Sequence, residues 1–163
     1  VNLRKDCYTQ EVIRRSLKRS TVVKLNDDEL RELAFLFGLS GASAADRAAA
    51  LLDTFGGDLC LVTLGGAGVM TMEPGGRVSY DPGYRIKIVD TVGCGDAVAA
   101  LFLKRLLEGA GAAEAAAAAN RYGAFVATRR GGMPEGSDAD WEAFRAEPAE
   151  RVRHTEGGEG IPG

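Results

Sequence analysis

The chain has 163 residues, of which 45% are hydrophobic and 26% are charged, and its formal net charge is −3. This length allows one globular domain with a hydrophobic core, and the composition is typical of a soluble protein. The negative balance argues against a function that needs a broad basic face, such as binding to nucleic acid or to a membrane surface.

The cysteines and the apolar runs indicate where the protein works. Cys7, Cys60 and Cys94 are widely spaced and match neither a zinc-ligand pattern nor a disulfide framework. Reduced thiols in a cytoplasm are the simplest interpretation. No apolar run approaches membrane-spanning length, and no signal peptide is visible.

Two helices around a short strand are predicted for the first part of the chain. The first helix is expected over residues 8–19, with Thr9 as its N-cap, and the strand over residues 21–25. Asn26 then caps a second helix, and Glu29 completes a capping-box pattern that accounts for both side chains structurally. The residues of the first helix that are predicted to face the core are Tyr8, Val12, Ile13 and Leu17.

A helix, a buried strand and a hairpin are predicted for the middle of the chain. The helix covers residues 43–55, and the strand, a continuous apolar run, covers residues 59–64. A glycine turn, residues 65–68, leads into a hairpin over residues 69–80. The turn has neither the G-x-G-x-x-G of a Rossmann fingerprint nor the Gly-Lys-Ser/Thr of a Walker loop. A dinucleotide-dependent dehydrogenase and a P-loop enzyme are therefore disfavoured.

The most informative stretch is D-T-V-G-C-G-D, residues 90–96, between a predicted strand over residues 84–89 and a predicted helix over residues 97–107. Its glycines allow a tight turn, and the free N–H groups at a helix start, with the helix dipole behind them, form an anion site. A carboxylate beside such a site, Asp96, suits a base that takes a proton from a hydroxyl attacking a bound phosphoryl group. Ordinary helix capping and turn chemistry explain the same residues equally well.

The last part of the chain predicts two helices and a tail. The first helix covers residues 112–128, where Asn120 interrupts an apolar run as a satisfied helix-face amide. The second covers residues 138–146 and closes a predicted domain over residues 1–146. The side chains expected to dock this last helix are Trp141 and Phe144. Residues 147–163 are polar and glycine-rich without periodicity, and are predicted to be a disordered tail.

Residues 90–96 closely resemble the D-T-x-G-A-G-D signature of the PfkB, or ribokinase-like, carbohydrate kinases, with Cys94 where the family usually has Ala. Further segments resemble family motifs in the same order. These segments are N-L-R at residues 2–4, N-x-x-E at residues 26–29, T-L-G-G-A-G at residues 63–68 and T-R-R-G-G-M-P at residues 128–134. The resemblance implies a doubly wound α/β fold with a mostly parallel sheet, helices on both faces, and ligands at the C-terminal ends of the strands.

The resemblance also implies that the chain corresponds to the C-terminal portion of the family fold. Family members are substantially longer, and their early strands, sugar-binding residues and lid sheet would all precede Val1. We therefore expect a fragment, whose bare strand edge and apolar helix face favour homodimers or other self-association.

By the same resemblance, Asp96 is the catalytic base, and the loop amides of Gly93, Cys94 and Gly95 bind the transferred phosphoryl group. The side chain of Cys94 adds bulk and a thiol that can be oxidised.

The family pattern also assigns metal and nucleotide contacts. Asn26 and Glu29 organise Mg²⁺ and its waters, since Mg²⁺ is often held indirectly through carboxylates. Asp90, with carbonyls of residues 128–134, helps to bind a monovalent cation such as K⁺. The residues expected along ATP are Arg4, Thr63, Gly65, Gly66, Gly68 and Asn120.

The leading hypothesis is therefore an ATP-dependent sugar kinase. The N-L-R segment and residues 24–30 look most like those of fructokinases, which suggests fructose as the acceptor. A nucleoside kinase of the same superfamily and a nucleotide-binding fragment without catalysis are the alternatives. A structural or interaction domain would leave the ordered run of motifs unexplained.

Overall fold

The computed structural model describes residues 8–132 and 136–152. The predicted contact from Arg4 and the tail beyond residue 152 lie outside the described residues. Within these ranges the elements are α1 Gln10–Leu17, β1 Val22–Asn26, α2 Asp27–Phe37, α3 Ala44–Phe55, β2 Leu59–Thr63, a 3₁₀ turn Gly65–Ala67, β3 Gly68–Glu73, β4 Arg77–Pro82, α4 Cys94–Leu107, α5 Ala112–Ala127 and α6 Asp138–Ala146.

The contacts divide the described residues into two compact units. The first unit contains residues 8–64 and 70–80, and the second contains residues 65–69, 81–132 and 136–152. None of the helices in these ranges is long and apolar enough to cross a lipid bilayer.

The four strands form one sheet in the order β1-β2-β3-β4. β1 and β2 are parallel, with Val22 opposite Leu59 and Asn26 opposite Thr63. The turns at residues 64–67 and 74–76 are too short for a parallel crossover, so they join antiparallel neighbours. The predicted α/β class is confirmed. The described sheet is mixed, however, where a mostly parallel one was predicted.

The first unit is built around one hydrophobic core between α1–α3 and the sheet. Fully buried side chains from these helices include Leu17, Leu30 and Leu51. The prediction for Val12 is wrong, because this side chain is 56% exposed. The buried stripe of α1 is Ile13 and Leu17, four residues apart, and Val12 lies beside it on the helix surface.

Helix starts in the first unit follow local sequence signals. Thr9 caps α1 by accepting a hydrogen bond from the Val12 N–H at 3.3 Å, as predicted. The predicted capping box of α2 is present: the Asn26 side chain accepts from the Glu29 N–H at 2.7 Å, and the Glu29 carboxylate accepts from the Asn26 N–H at 2.8 Å. Such reciprocal pairs satisfy amides that have no acceptor within the helix.

In the second unit α4 packs closely on α5. Gly123 lies at the contact, where an added Cβ would come within 2.6 Å of Val98 Cγ2. α6 docks on α5 through aromatic rings, as predicted. The ring centroids of Trp141 and Tyr122 are 5.0 Å apart, and those of Phe144 and Phe125 are 5.4 Å apart.

One expectation fails along the approach to the glycine loop. The strand predicted over residues 84–89 is absent apart from one isolated bridge between Tyr84 and Arg151. Alternation alone does not make a strand, because the ladder also needs a neighbouring strand, and Ile88 is 58% exposed. Residues 147–152, the first part of the stretch predicted to be a disordered tail, make backbone hydrogen bonds, including Val152 N–H to Gly83 O at 2.8 Å.

Candidate active site

The glycine loop turns into α4 through a residue that has to be glycine. Gly93 is the N-cap of α4 and has a φ of 80°, in the left-handed region. A Cβ at Gly93 would lie 2.5 Å from both the Cα and the carbonyl oxygen of Gly132. Gly93 thus allows the backbone of the loop to lie directly against the backbone that follows α5.

The start of α4 presents amides without an acceptor. Gly93 has no side chain with which to cap the helix, and the Cys94 N–H makes a long contact of 3.3 Å with Thr91 O. Across residues 8–132 and 136–152, the N–H groups of Gly95 and Asp96 have no hydrogen-bond partner. The anion-binding potential that the sequence suggested is therefore greatest at Gly95 and Asp96, and Cys94 contributes less.

Asp96 lies in this same first turn of α4, and its side chain is exposed. Among the described side chains and backbone groups, none forms a hydrogen bond or an ion pair with its carboxylate. An N-cap role, the structural alternative for this residue, is excluded because the N-cap is Gly93. A carboxylate without a partner, beside free amides, can accept a proton from a ligand held there.

Asp90, at the other end of the loop, has a different environment. Its two carboxylate oxygens accept hydrogen bonds from the Val92 N–H at 3.0 Å and from the Gly131 N–H at 2.9 Å. These bonds, that of Val92 first, hold the pKa of Asp90 below its usual range. The Asp90 carboxylate therefore links the loop to the residues after α5, in addition to its role as a turn carboxylate within the loop.

Cys94 makes a side-chain contact with the start of the loop. Its Sγ lies 3.8 Å from Asp90 O, and burial, with a smaller effect of the Asp90 charge, raises the pKa of the thiol. The thiol is therefore protonated near neutral pH, and its bulk points back into the loop.

The predicted metal residues lie in the first unit, where β1 and β2 end. Asn26 is in register with Thr63, whose Oγ1 donates to Leu25 O at 3.3 Å. One oxygen each of Asn26 and Glu29 is used by the capping box. The second Glu29 oxygen takes no part in the capping box and is the freest of these ligands for a cation. In the described part of the chain, no group of three or more His, Cys, Asp or Glu side chains is arranged to hold a metal.

The predicted nucleotide glycines divide into two kinds. Gly65 and Gly66 are exposed, and a Cβ on either would meet open space. Gly68 is buried, with a φ of 116°, and a Cβ there would lie 2.1 Å from Asp81 O. Gly68 is therefore required by packing against the end of β4, whereas Gly65 and Gly66 form the open side of the turn.

Sequence reasoning missed the segment that supports this turn. A Cβ at Gly83 would lie 1.9 Å from Gly66 O, and the Gly83 N–H donates to Ala67 O at 2.8 Å. The dipeptide Pro82-Gly83, directly after the hairpin, was the only signal for this close approach.

Asn120 is 7% exposed and is committed to the same segment. Its Nδ2 donates to Asp81 Oδ2 at 2.5 Å and to Pro82 O at 2.9 Å, with a longer contact to Asp81 O at 3.2 Å. The satisfied-amide role is thus present, and the partners lie at the end of β4. The predicted adenine contact of Asn120 stays a prediction.

Comparison with known proteins identifies the family. The model of the pfkB family carbohydrate kinases matches residues 1–139. The chain is 34% identical over 128 residues to the aminoimidazole riboside kinase of Salmonella typhimurium, an alignment that covers 76% of this chain and 38% of that protein. The chain belongs to the pfkB family of carbohydrate kinases.

Solved structures agree on the ribokinase-like fold. The aminoimidazole riboside kinase of Salmonella enterica, complexed with aminoimidazole riboside and an ATP analogue, has a TM-score of 0.72 and 27% identity, over 90% of this chain and 51% of that one. A candidate ribokinase II from E. coli, solved with ATP and Mg²⁺, has a TM-score of 0.70 and 21% identity, over 83% and 42%. The chain thus spans about half or less of the length of these proteins. The predicted family and fold are confirmed.

Proposed function

We propose that this chain carries the nucleotide-binding and catalytic part of a kinase that transfers the γ-phosphate of ATP to a hydroxyl of a sugar or a nucleoside. The observation that supports this most is the start of α4. There, the unpartnered carboxylate of Asp96 shares one helical turn with the free N–H groups of Gly95 and Asp96.

In this proposal Asp96 is the catalytic base. It takes the proton of the acceptor hydroxyl as that oxygen forms a bond to the γ-phosphorus and the bond to the ADP oxygen breaks. The amides of Gly93, Cys94 and Gly95, joined by that of Asp96, donate to the equatorial oxygens of the transferred group. Because these donors belong to a fixed helix start, they need no rearrangement as charge develops.

ATP and Mg²⁺ are the proposed cofactors, with a monovalent cation as a further candidate. Gly65 and Gly66 would line ATP, with Thr63, Gly68 and Asn120 as further candidates. The remaining Glu29 oxygen suits an ion held through its waters, and Asn26 supports that geometry through the capping box. Bound Mg²⁺ would neutralise charge on the β- and γ-phosphates. Asp90 would contribute to the monovalent site.

For the acceptor, we propose a sugar, with fructose suggested by the N-L-R segment and residues 24–30. A riboside is the second candidate, favoured by the 34% identity to an aminoimidazole riboside kinase. Turnover of the whole protein on a panel of sugars and nucleosides would separate the two. We also propose a cytoplasmic location.

The proposed function is tested by Asp96→Asn in the whole protein, with Asp138→Asn as the matched control. Asp138 is an exposed carboxylate in the first turn of another helix, α6. We expect Asp96→Asn to lower kcat by at least about 10²-fold, the lower end of the effects of removing general acid–base catalysis, while the Kd for Mg·ATP changes little. Near-normal turnover of Asp96→Asn would rule out Asp96 as the base.

A binding measurement on the chain, combined with the activity of the whole protein, distinguishes a kinase from a fragment that only binds nucleotide. Calorimetric titration with Mg·ATP, after circular dichroism has confirmed folding, measures binding without requiring an acceptor. Saturable binding that is lost when Gly95 is replaced by Val would place the phosphates at the start of α4. Binding by the chain, together with an inactive whole protein, would favour the non-catalytic alternative.

A further inference from the structure

The glycine turn, residues 65–68, is supported from one side by residues 81–83. Gly83 and Gly68 make the close backbone contacts described above, and the Gly83 N–H donates to Ala67 O. The position of the open face at Gly65 and Gly66 therefore depends on what holds residues 81–83 in place.

The end of the described chain holds them. Residues 150–152 run alongside residues 83–85 through two backbone hydrogen bonds, Arg85 N–H to Glu150 O and Val152 N–H to Gly83 O, both at 2.8 Å. The pair Tyr84 and Arg151 forms an antiparallel bridge between the two segments. We call residues 147–152 the C-terminal strap.

Arg151 supplies the charged contact of this strap. Its guanidinium pairs with the Asp81 carboxylate, and the two side chains are only 33% and 17% exposed. The guanidinium carbon also lies 3.9 Å from the centroid of the Tyr84 ring. The other oxygen of Asp81 accepts a hydrogen bond from Asn120 Nδ2. Arg151 and Asn120 therefore each bind one oxygen of this carboxylate.

The strap is itself attached to α5 and α6. Arg121 donates from Nη2 to Phe144 O at 3.1 Å and to Glu147 O. Its guanidinium carbon lies 5.5 Å from the Tyr84 ring centroid. The strap is thus fixed at both of its ends, and residues 81–85 lie against its last three residues.

We propose that Arg151 is a positioning residue that acts through Asp81 to hold residues 81–83 against the glycine turn, and so keeps Gly65 and Gly66 in place for the nucleotide. The nucleotide part rests on the proposed function. A partly buried carboxylate that loses its cation is costly, so Asp81 would move towards water and residues 81–83 with it.

Arg151→Gln in the full chain tests this, with Arg145→Gln as the matched control. Arg145 carries the same charge in α6, just before the strap, and pairs with the exposed Glu142. We expect Arg151→Gln to speed amide hydrogen exchange in peptides covering residues 64–68 and 81–85, and to raise the Kd for Mg·ATP by about three- to tenfold. The expected rise in Kd is smaller than that for losing a charge-assisted hydrogen bond made directly to the ligand, because Arg151 acts only through Asp81. Arg145→Gln should change neither.

Two more variants test separately the backbone contact of the strap and the coupling between Arg151 and Asp81. Val152→Pro removes the N–H that donates to Gly83 O without changing any charge, and should speed exchange in the same two peptides. In an Asp81→Asn background, Arg151→Gln should have a smaller effect than in the wild type, because the two residues act as one unit.

The outcomes separate the inference from the proposed function. Faster exchange confined to residues 147–152, with residues 64–68 unchanged, would overturn the positioning role. If the wild-type chain does not bind Mg·ATP, the proposed function of the chain fails, but the exchange data still decide whether Arg151 positions the turn. An unchanged Kd despite faster exchange at residues 64–68 would overturn the link to the nucleotide.

Discussion

Gly93→Ala should destabilise the second unit much more than an ordinary glycine substitution. At a φ of 80° an alanine costs about 1–2 kcal/mol in backbone strain alone. The new Cβ would also lie 2.5 Å from the Cα and the carbonyl oxygen of Gly132, and backbone atoms cannot move aside as the end of a flexible side chain can. Overpacking of this kind costs about 1–3 kcal/mol more. The expected total is roughly 2–5 kcal/mol.

Gly131→Ala is the control that isolates the close approach. Gly131 has a φ of 81° and nothing within 4 Å of an added Cβ, so an alanine there has the backbone strain without the steric clash. Its N–H, the donor to Asp90, is kept in alanine. Urea unfolding of the wild type and both variants measures the difference, and we expect Gly93→Ala to lose about 1–3 kcal/mol more than Gly131→Ala. Equal losses would show that contact with Gly132 is not what requires glycine at position 93.

Three further predictions concern other contacts. Asn120→Ala should lower the free energy of unfolding by about 1–3 kcal/mol, because it removes the donor to Asp81 and Pro82 from a buried site; an unchanged urea midpoint would contradict this. The lowered pKa of Asp90 means that its contribution to stability is present above its unfolded pKa of about 3.9 and is lost as pH falls through the lower folded pKa. The free energy of unfolding, measured between pH 5 and pH 2, should therefore fall less steeply with decreasing pH in Asp90→Asn than in the wild type. An identical pH dependence of the two proteins would refute this. The chain should self-associate partly through Leu107, which is 89% exposed on α4, so sedimentation should show smaller species for Leu107→Glu, while a monodisperse wild-type monomer would exclude this.

Local signals in the sequence predicted the helix starts and the character of the central loop. Thr9, Asn26 and Glu29 each act on an amide three residues away, so the residues that form each cap are neighbours in the chain. The glycines of residues 90–96 likewise indicated a turn into a helix start. The sequence also pointed to Asp96, because the unpartnered N–H groups beside its side chain belong to the same helical turn. The catalytic and metal roles of these residues stay predictions.

The tertiary structure decided what depends on distant partners. Residues 84–89 alternate as a strand should, but pairing needs a neighbour that no local pattern reveals, and the described segment forms only the isolated bridge between Tyr84 and Arg151. Asn120 could be identified as a satisfied amide from the sequence, yet its partners, Asp81 and Pro82, lie almost forty positions earlier.

The glycines show the same division. A glycine next to another glycine indicates a turn, and this was visible at residues 65–68 from the sequence alone. That Gly68 and Gly83 are needed for backbone packing, while Gly65 and Gly66 face open space, follows only from where residues 81–83 lie. The sequence determines interactions that close within a helical turn, because chain connectivity brings those groups together. Contacts between distant segments depend on the packing of the whole unit, and only the folded chain specifies them.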